Sequence, residues 1–259
     1  MKRIIFILMC MVTLCGYAQK SYPKELLTPD GDETTVIFKG TAPGICDFIT
    51  SLYNKEEGLF MDSGNLIDAW NHYLNNEKQE PGNELIVDKK NGYVNLTSEY
   101  SYDADDNHFD QKSICEMCYW NCADGKHKLF AVSCIGLSNG RYYEGQIEGV
   151  MFYLYDNAQH TIWYVNDEKL LGVDVTTGTD ENYRYDAETK LAYVKDRETG
   201  KPLTLSNEEF DRWLEERPVV VYRLPRKGKN ITAEIHYANR TDTVELVWDG
   251  MKFNSGRKF

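Results

Sequence analysis

The sequence has few of the features by which enzymes are recognised. Its 259 residues include only five histidines, and they contain neither a His-Glu-x-x-His pair nor a phosphate-binding glycine loop. These absences argue against a zinc protease of that type and against a nucleotide-dependent enzyme, and we expect no cofactor. Proline is also scarce, with seven residues, which together with 18 tyrosines indicates a folded chain with a substantial aromatic core.

Basic residues are fewer than acidic residues. The chain has 29 Lys and Arg residues against 41 Asp and Glu residues, a formal net charge of -12. Such a surface repels phosphate backbones, and only residues 223–229 are locally basic. We interpret that stretch as a solvated loop and expect no nucleic-acid partner.

A hydrophobic run long enough to span a membrane is missing as well. The longest apolar run covers residues 4–14, about half of the roughly 20 residues that a spanning helix needs. This run follows Lys2 and Arg3 and precedes Ala18, which is the pattern of a signal peptide. The predicted signal peptide covers residues 1–18 and is removed by cleavage before Gln19. We therefore expect an exported protein of the periplasm or the extracellular space, without a transmembrane segment.

An alternative is a lipoprotein anchored through Cys15. A bacterial lipoprotein signal requires a small residue directly before the cysteine, whereas this chain has Leu14 there. We favour cleavage after Ala18 over lipidation of Cys15.

The remaining chain divides into a leader and a globular region. Residues 19–40 are polar and rich in turn formers, which predicts a flexible leader. Residues 41–259 predict an α+β globular region, either as one domain or as two subdomains of about 41–168 and 169–259.

Three segments have helical periodicity. Residues 43–54 and 63–76 each place apolar side chains on one face, which predicts two amphipathic helices near the N-terminus. Ser206 and Glu209 form a capping-box pattern, which predicts a third, short helix near residues 206–216.

From residue 84 onward the period changes to two, which is typical of strands. The turn residues Asn91-Gly92 predict one hairpin, and residues 114–122 and 128–135 predict another in which Cys115 faces Cys134. Both faces of that second hairpin are apolar, so we expect it to be central in a sheet that is covered on both sides.

Two further hairpin predictions specify a register. Phe152 should pair with Trp163 between residues 150–155 and 160–165, and Ile235 should pair with Val244 in a final meander. The predicted fold class is therefore α+β, with two N-terminal helices packed on a largely antiparallel, meander-type β-sheet and one further short helix near 206–216. The strands of the final meander cover residues 219–224, 231–237 and 243–248.

The cysteines allow a metal site or a disulfide. On a strand, Cys115 and Cys118 point to opposite faces, and Cys118 lies roughly 13 Å from Cys122, so these thiols do not suit a single zinc ion. Cys115 lies opposite Cys134, within reach of a cross-strand disulfide, which export would permit. We predict no metal site, and the alternatives for Cys115 and Cys134 are a disulfide and buried free thiols. We interpret Cys46 as a small core residue.

Other candidate sites have weaker support. Glu144 and Glu148 lie beside tyrosines and would suit a glycosidase, but 41 acidic residues make such pairs inevitable. An acidic stretch offers oxygen ligands for calcium. It departs from the EF-hand loop, however, because His108 occupies the sixth position, where that loop has glycine. We favour a solvated loop for that stretch. Its members are Asp103, Asp105, Asp106, Asn107 and Asp110.

An aromatic face on the hairpin of residues 150–165 is the predicted ligand-binding surface. Tyrosines provide apolar area with a polar tip, which suits sugar rings or a partner protein. The alternative is core packing beneath the helices. The residues of this face are Tyr153, Tyr155, His160 and Tyr164.

The signal peptide ending at Ala18-Gln19, the aromatic-rich strands and the Trp248-Asp249-Gly250 motif resemble exported proteins of Bacteroidetes. The resemblance implies a periplasmic or secreted location and no particular activity. We expect a non-enzymatic protein that binds a glycan, a peptide or a protein partner. The alternative is a hydrolase with dispersed acidic catalytic residues.

Overall fold

The computed structural model describes most of the chain after the predicted signal peptide. The peptide itself, Cys15, Glu144 and Glu148 lie outside the described residues. The described residues are 22, 24–27, 29, 33–53, 64–104, 107–142, 150–165, 170–171, 184–196, 201–215, 219–237 and 240–255.

The described helices are short. Asp47 accepts a hydrogen bond from the backbone amide of Gly44 at 2.8 Å and thereby caps the second helix. Before the last helix, Glu209 accepts a hydrogen bond from the Ser206 amide at 2.8 Å and donates its own amide to the Ser206 hydroxyl, which is the predicted capping box. The helices are α1 (Lys24–Leu27), α2 (Ile45–Tyr53), α3 (Gly64–Asn75) and α4 (Asn207–Glu215).

Eight strands form the largest sheet, and every pair in it is antiparallel. The order is β1-β8-β7-β5-β4-β3-β2, and β6 pairs with β5. The strands are β1 (Thr34–Thr35), β2 (Asn83–Asp88), β3 (Tyr93–Ala104), β4 (Asn107–Asn121), β5 (His127–Ser138), β6 (Arg141–Tyr142), β7 (Val150–Asp156) and β8 (Thr161–Val165).

The remaining strands form two smaller sheets. The order is β11-β10-β9 in a three-stranded sheet and β12-β13-β14-β15 in a four-stranded sheet. The strands are β9 (Arg184–Asp186), β10 (Leu191–Lys195), β11 (Pro202–Ser206), β12 (Val219–Arg223), β13 (Ile231–His236), β14 (Thr241–Trp248) and β15 (Phe253–Ser255).

The predicted α+β class, with two N-terminal helices on one meander sheet, is wrong. More than half of the described residues lie in strands, and these strands form three separate antiparallel sheets instead of one. The last four strands do not extend the eight-stranded sheet but stack on it, so that the protein is mostly β. Period-two patterning identifies a strand, but it does not say which sheet the strand joins.

The first core lies between the eight-stranded and the four-stranded sheet. Phe152 of β7 and Phe253 of β15 are both fully buried in it, and the rings of Trp120 and Phe253 meet edge to face at 5.2 Å. Ser133 donates a hydrogen bond to the Tyr222 carbonyl at 2.6 Å, which ties the two sheets together by a polar contact.

The second core lies on the opposite face of the eight-stranded sheet. Phe48 of α2 is fully buried there, and its ring lies between 5.2 and 5.7 Å from the rings of Tyr119, Phe130 and Tyr155. Trp70 of α3 belongs to the same buried cluster. A separate small core, which includes Ala192, Val194 and Phe210, joins α4 to the three-stranded sheet.

The central hairpin has the predicted register. Cys115 pairs with Cys134, and Tyr119 pairs with Phe130. The turn between β4 and β5 is fixed by Asp124, which accepts backbone hydrogen bonds from the two residues after Gly125. The prediction that this hairpin is covered on both faces is confirmed by the two cores.

Two other registers are shifted by two residues from the prediction. Phe152 pairs with Val165 instead of Trp163, because β7 and β8 are joined by four turn residues, 157–160. Val244 pairs with Ala233 instead of Ile235, so this register is also shifted by two residues. A slip of two residues keeps every side chain on its face, so the apolar pattern does not detect it.

Part of the segment before residue 41 is buried in the first core. Tyr22 and Leu26 are nearly inaccessible, and the Trp163 indole donates a hydrogen bond to the Leu26 carbonyl at 3.2 Å. Within the described part of the chain, no helix has the length and apolar character needed to cross a membrane.

Candidate ligand-binding surface

The four residues of the predicted aromatic face do not share one environment. Tyr155 is completely buried and Tyr153 is nearly so, and both belong to the second core beneath α2. Tyr164 is 43% exposed, and His160 is exposed at the turn after β7. The accessible part of this face therefore consists of Tyr164 and His160, and its ligand binding stays a prediction.

Tyr155 has a structural partner at the edge of this core. Its hydroxyl lies 2.9 Å from Nδ1 of His160, whose ring packs against Phe38 at 5.1 Å. Burial raises the pKa of the Tyr155 phenol. The phenol therefore stays protonated and can donate the hydrogen bond to the imidazole.

A second aromatic surface lies on the long hairpin of β3 and β4. These strands extend past their neighbours, since β2 pairs with β3 only as far as Ser98 and β5 pairs with β4 only as far as Gln111. Beyond these points the two strands pair with each other alone among the described residues. We call this two-stranded extension, residues 99–104 and 107–111, the ribbon.

Three rings lie along one side of the ribbon. The ring centroids of Tyr100 and Tyr102 are 6.2 Å apart with 23° between their planes, and those of Tyr102 and Phe109 are 5.3 Å apart with 19°. Tyr100 is 51% exposed and Tyr102 is 45% exposed, which is unusual in a chain whose large apolar side chains are mostly buried. The aromatic side is thus a nearly parallel ladder open to solvent.

The reverse side of the ribbon is polar and internally paired. The hydrogen bond to Asp103 raises the pKa of His108, and the hydrogen bond from Ser101 lowers the pKa of Asp110. Among the described residues, no group of three or more metal-ligating side chains is present, and Asp105 and Asp106 of the predicted acidic loop lie outside them. The pairs are Ser101 with Asp110 at 2.6 Å and His108 with Asp103 at 2.7 Å, and at the base of the ribbon Glu99 pairs with Lys112, the next residue of β4, at 2.6 Å.

Gln111 lies at the base of the aromatic ladder, directly across from Tyr100 and on the same face. Its side chain is only 6% exposed, and its Nε2 donates a hydrogen bond to the Ser138 hydroxyl at 2.8 Å. The Oε1 atom of the same amide is buried without a hydrogen-bond partner in the structure. Because this atom is enclosed by the protein, a ligand on the ladder does not reach it in this conformation.

Close backbone contacts hold the base of the ribbon in place. Gly82 has a φ of +88°, and a Cβ atom on it would lie 2.2 Å from the Glu99 carbonyl oxygen. On the other strand, Asn139 donates its amide to the Asp110 carbonyl at 2.8 Å and accepts the Asp110 amide at 2.9 Å through its side chain. The ribbon is therefore anchored at both strands before it extends.

Ser138 is the centre of a Gly-x-Ser-x-Gly sequence, Gly136-Leu137-Ser138-Asn139-Gly140. In α/β-hydrolases such a serine lies on a strand–turn–helix elbow, whereas here it ends β5 and is followed by a turn into β6. Across the ribbon, His108 points to the face opposite Gln111 because strand residues alternate. The geometry therefore does not form a serine–histidine pair at Ser138.

Glu116 is the most shielded carboxylate near the junction of the two stacked sheets. Its Oε1 accepts a hydrogen bond from the Tyr93 hydroxyl at 3.0 Å, and its Oε2 accepts one from the Leu224 amide at 2.8 Å. Burial raises the pKa of its carboxyl group. Because both oxygens are occupied, the residue holds the sheets together and does not present a free acid.

The five cysteines that the structure describes are thiols, and they occupy different faces. Cys115 and Cys134 are cross-strand neighbours, and their mutual hydrogen bond together with burial raises the pKa of Cys115. Cys122 accepts or donates a hydrogen bond with the Tyr22 hydroxyl at 3.1 Å, and burial raises the pKa of Cys46. The Cys115–Cys134 disulfide stays a prediction.

The ladder was not predicted, because the acidic residues around it indicated a loop. The alternation Glu99-Tyr100-Ser101-Tyr102-Asp103 is itself a strand pattern with an aromatic and a polar face. Pairing it with Phe109 and Gln111 across a tight turn would have identified the ribbon.

Comparison of the chain with protein-family models, with curated proteins and with solved structures found no match.

Proposed function

We propose that this protein is an exported, non-enzymatic binding protein of the periplasm or cell surface, and that it binds its partner through the aromatic side of the ribbon. The observation that carries the proposal is the open ladder of Tyr100, Tyr102 and Phe109. Exposed tyrosines on a strand combine apolar area with a hydrogen-bonding tip and lose little entropy on binding.

A binding role requires less of this chain than catalysis does. A hydrolase would need a positioned acid and base that reach the same substrate. Among the described carboxylates, Glu116 is half-buried, and the Tyr93 hydroxyl and the Leu224 amide already occupy its oxygens. A ligand platform needs only the ladder and a few polar groups beside it.

Export is part of the proposal. It is supported by Lys2 and Arg3, by the apolar residues 4–14 and by Ala18 at the cleavage position. Mass spectrometry of the native N-terminus tests it: a chain beginning at Gln19 supports export with cleavage, a diacylglycerol on Cys15 supports the lipoprotein alternative, and an intact residue 1 contradicts both.

A thermal-shift screen tests the binding role. The wild type and a Tyr100→Ser/Tyr102→Ser double variant are compared against oligosaccharides, peptides, calcium and zinc. A ligand at 100 times its dissociation constant adds about 2.7 kcal/mol of stability, which is readily measured as a rise in Tm. We expect at least one ligand class to stabilise the wild type but not the double variant. Equal shifts in both proteins would place binding elsewhere and contradict the proposal.

A further inference from the structure

We propose that one end of the two stacked sheets docks this protein on a membrane surface of anionic phospholipid headgroups. The contact surface consists of five turns at the end opposite the ribbon, and we call it the basic end. It is a second surface, distinct from the one of the proposed function. The turns are residues 88–92, 122–127, 156–160, 225–230 and 249–252.

The five turns are tied to one another. Nε of Arg226 lies 3.0 Å from Oδ2 of Asp88, which joins the turn of residues 225–230 to that of residues 88–92. At the end of β4, the Trp120 indole donates a hydrogen bond to the Lys229 carbonyl at 2.9 Å. Two backbone hydrogen bonds join the remaining turns, so the basic end is one continuous surface. They run from the Ala123 amide to the Gly250 carbonyl at 2.8 Å and from the Asn157 amide to the Lys126 carbonyl at 2.9 Å.

The charge balance of the basic end is the reverse of that of the whole chain. Its turns carry six exposed lysines and four aspartates, one of which is paired with Arg226, whereas the chain has 29 basic and 41 acidic residues. Each aspartate accepts at least one backbone amide of its own turn, at 2.6 to 3.2 Å, so the carboxylates are held against the turns. The lysines are Lys89, Lys90, Lys126, Lys227, Lys229 and Lys252, and the aspartates are Asp88, Asp124, Asp156 and Asp249.

The acidic residues of the ribbon lie too far away to cancel this positive charge. β3 leads from the turn of residues 88–92 to the ribbon, and its stretch from Tyr93 to Tyr102 spans about 30 Å at roughly 3.4 Å per residue. At physiological ionic strength, interactions between exposed charges are largely screened beyond about 8 Å. An anionic surface at the basic end is therefore attracted by the lysines there, although the chain has a net charge of -12.

The composition of the basic end favours lipid headgroups over a protein partner. Protein interfaces are depleted in lysine and depend on aromatic or other large anchors. All the large apolar side chains that are exposed in the described part of the chain lie outside the five turns. A lipid surface requires no such anchor, since each lysine near anionic headgroups adds its own attraction.

The same composition argues against a specific phosphate site and against nucleic acid. Bidentate recognition of a phosphate group is characteristic of arginine, and Arg226 is already paired with Asp88. Stacking of bases requires exposed aromatic rings, which the five turns do not offer. Lysine is a compact charge on a flexible stem, which suits a layer of headgroups without a fixed arrangement.

Docking through the basic end also determines where the ladder lies. The basic end and the ribbon are at opposite ends of β3 and β4. On a docked molecule the ladder therefore lies on the order of 30 Å from the headgroups and faces the surrounding compartment. A partner in that compartment can then reach Tyr100 and Tyr102, which are exposed to solvent.

Co-sedimentation with vesicles tests the inference. The protein begins at Gln19, because the apolar residues 4–14 would bind vesicles by themselves, and all described residues are retained. The vesicles contain either phosphatidylcholine alone or equal parts of phosphatidylcholine and phosphatidylglycerol. Binding is measured at about 20 mM and at about 500 mM NaCl, so that screening separates electrostatic from apolar attachment.

Two triple variants change the net charge by the same amount at different places. One removes three exposed lysines of the basic end, and its control removes three exposed lysines outside the five turns. A third variant removes the two exposed tyrosines of the ladder. The variants are Lys90→Gln/Lys227→Gln/Lys229→Gln, Lys78→Gln/Lys190→Gln/Lys201→Gln and Tyr100→Ser/Tyr102→Ser.

We expect the wild type to bind the phosphatidylglycerol vesicles at low salt, to release them at high salt and to ignore phosphatidylcholine vesicles. The basic-end variant should bind at least tenfold more weakly, and up to about a hundredfold. The control triple variant and the ladder variant should bind like the wild type. The Tm of the two triple variants should be equal, because all six replaced lysines are exposed.

Four results would overturn the inference. Absence of binding to phosphatidylglycerol vesicles would remove the membrane contact altogether. Equal weakening in the two triple variants would show a response to net charge alone, and loss of binding in the ladder variant would place the contact on the ribbon. Binding of poly-glutamate without binding of vesicles would assign the basic end to an acidic protein partner.

Discussion

Nδ1 of His127 lies 2.6 Å from Oδ2 of Asp124, and both side chains are buried at the turn between β4 and β5. Nε2 of the same imidazole lies 3.5 Å from Asp156 at the next turn. Burial opposes ionisation of Asp124, but hydrogen bonds from His127 and two backbone amides keep its pKa below the usual value. Because the carboxylate can only accept, Nδ1 carries the proton. The two turns are joined beside this pair by the Asn157 amide, which donates a hydrogen bond to the Lys126 carbonyl at 2.9 Å.

Replacing His127 should destabilise the protein strongly. His127→Leu removes the side-chain donor to the buried Asp124 carboxylate and leaves only its two backbone donors, so we expect the free energy of unfolding to fall by about 1.5–3 kcal/mol in urea denaturation. His108→Leu is the matched control, since His108 makes the same contact with Asp103 at 2.7 Å in an exposed position. Its stability should stay close to that of the wild type. Similar losses in the two variants would contradict the structural role of His127.

Glu116 should make stability depend on pH. Burial raises its pKa above the usual 4.5, so the folded state binds this proton more tightly than the unfolded state does. Protonation of Glu116 should therefore increase the free energy of unfolding as pH falls from neutral towards 4.5. This contribution is lost again as pH rises through the pKa of the folded state. The Tm of the wild type minus the Tm of Glu116→Gln should increase as pH is lowered from 7 to 4.5. A constant difference would refute the assignment.

Cys115 and Cys134 should be oxidised in protein recovered from an oxidising compartment. They pair directly across β4 and β5, and closing a loop of this size stabilises a protein by about 3 kcal/mol. Non-reducing peptide mapping should find the cross-linked peptide, and reduction should lower Tm. Cys46→Ser should leave the cross-link intact. Recovery of both thiols unlinked from the exported protein would rule the disulfide out.

Two tyrosines of the predicted aromatic face should respond differently to truncation. Tyr155 is completely buried against Phe48, so Tyr155→Ala should cost about 3–5 kcal/mol in the free energy of unfolding. Tyr164 is 43% exposed, and Tyr164→Ala should cost no more than about 1 kcal/mol. Chemical denaturation of both variants measures the difference. Equal small losses would mean that Tyr155 is not a core residue.

Some of the fold follows from local pattern. The register of Cys115 with Cys134 was predictable because an apolar pattern on both faces meets a turn fixed by Asp124 and Gly125. The capping box of Ser206 and Glu209 was predictable because it needs only residues of the same turn. Features determined within one hairpin or one helical turn are thus available from the sequence.

Other features depend on contacts that the local pattern does not encode. The stacking of β12–β15 on the eight-stranded sheet depends on side chains more than 100 residues apart, such as Trp120 and Phe253. The burial of the Gln111 amide could not be predicted from the sequence, because the accessibility of a side chain depends on its surroundings. Tyr102 and Phe109 were missed because the acidic residues between them suggested a loop instead of a tight hairpin.

The most direct test of the account is to locate the bound ligand on the protein. Backbone and aromatic chemical shifts are followed by NMR while the ligand that raises the Tm of the wild type most in the thermal-shift screen is titrated into the protein. If the ligand binds at the ribbon, the shifts concentrate at residues 99–112 and include the rings of Tyr100, Tyr102 and Phe109. Shifts confined to Tyr164 and His160, or scattered without reference to the ribbon, would contradict it.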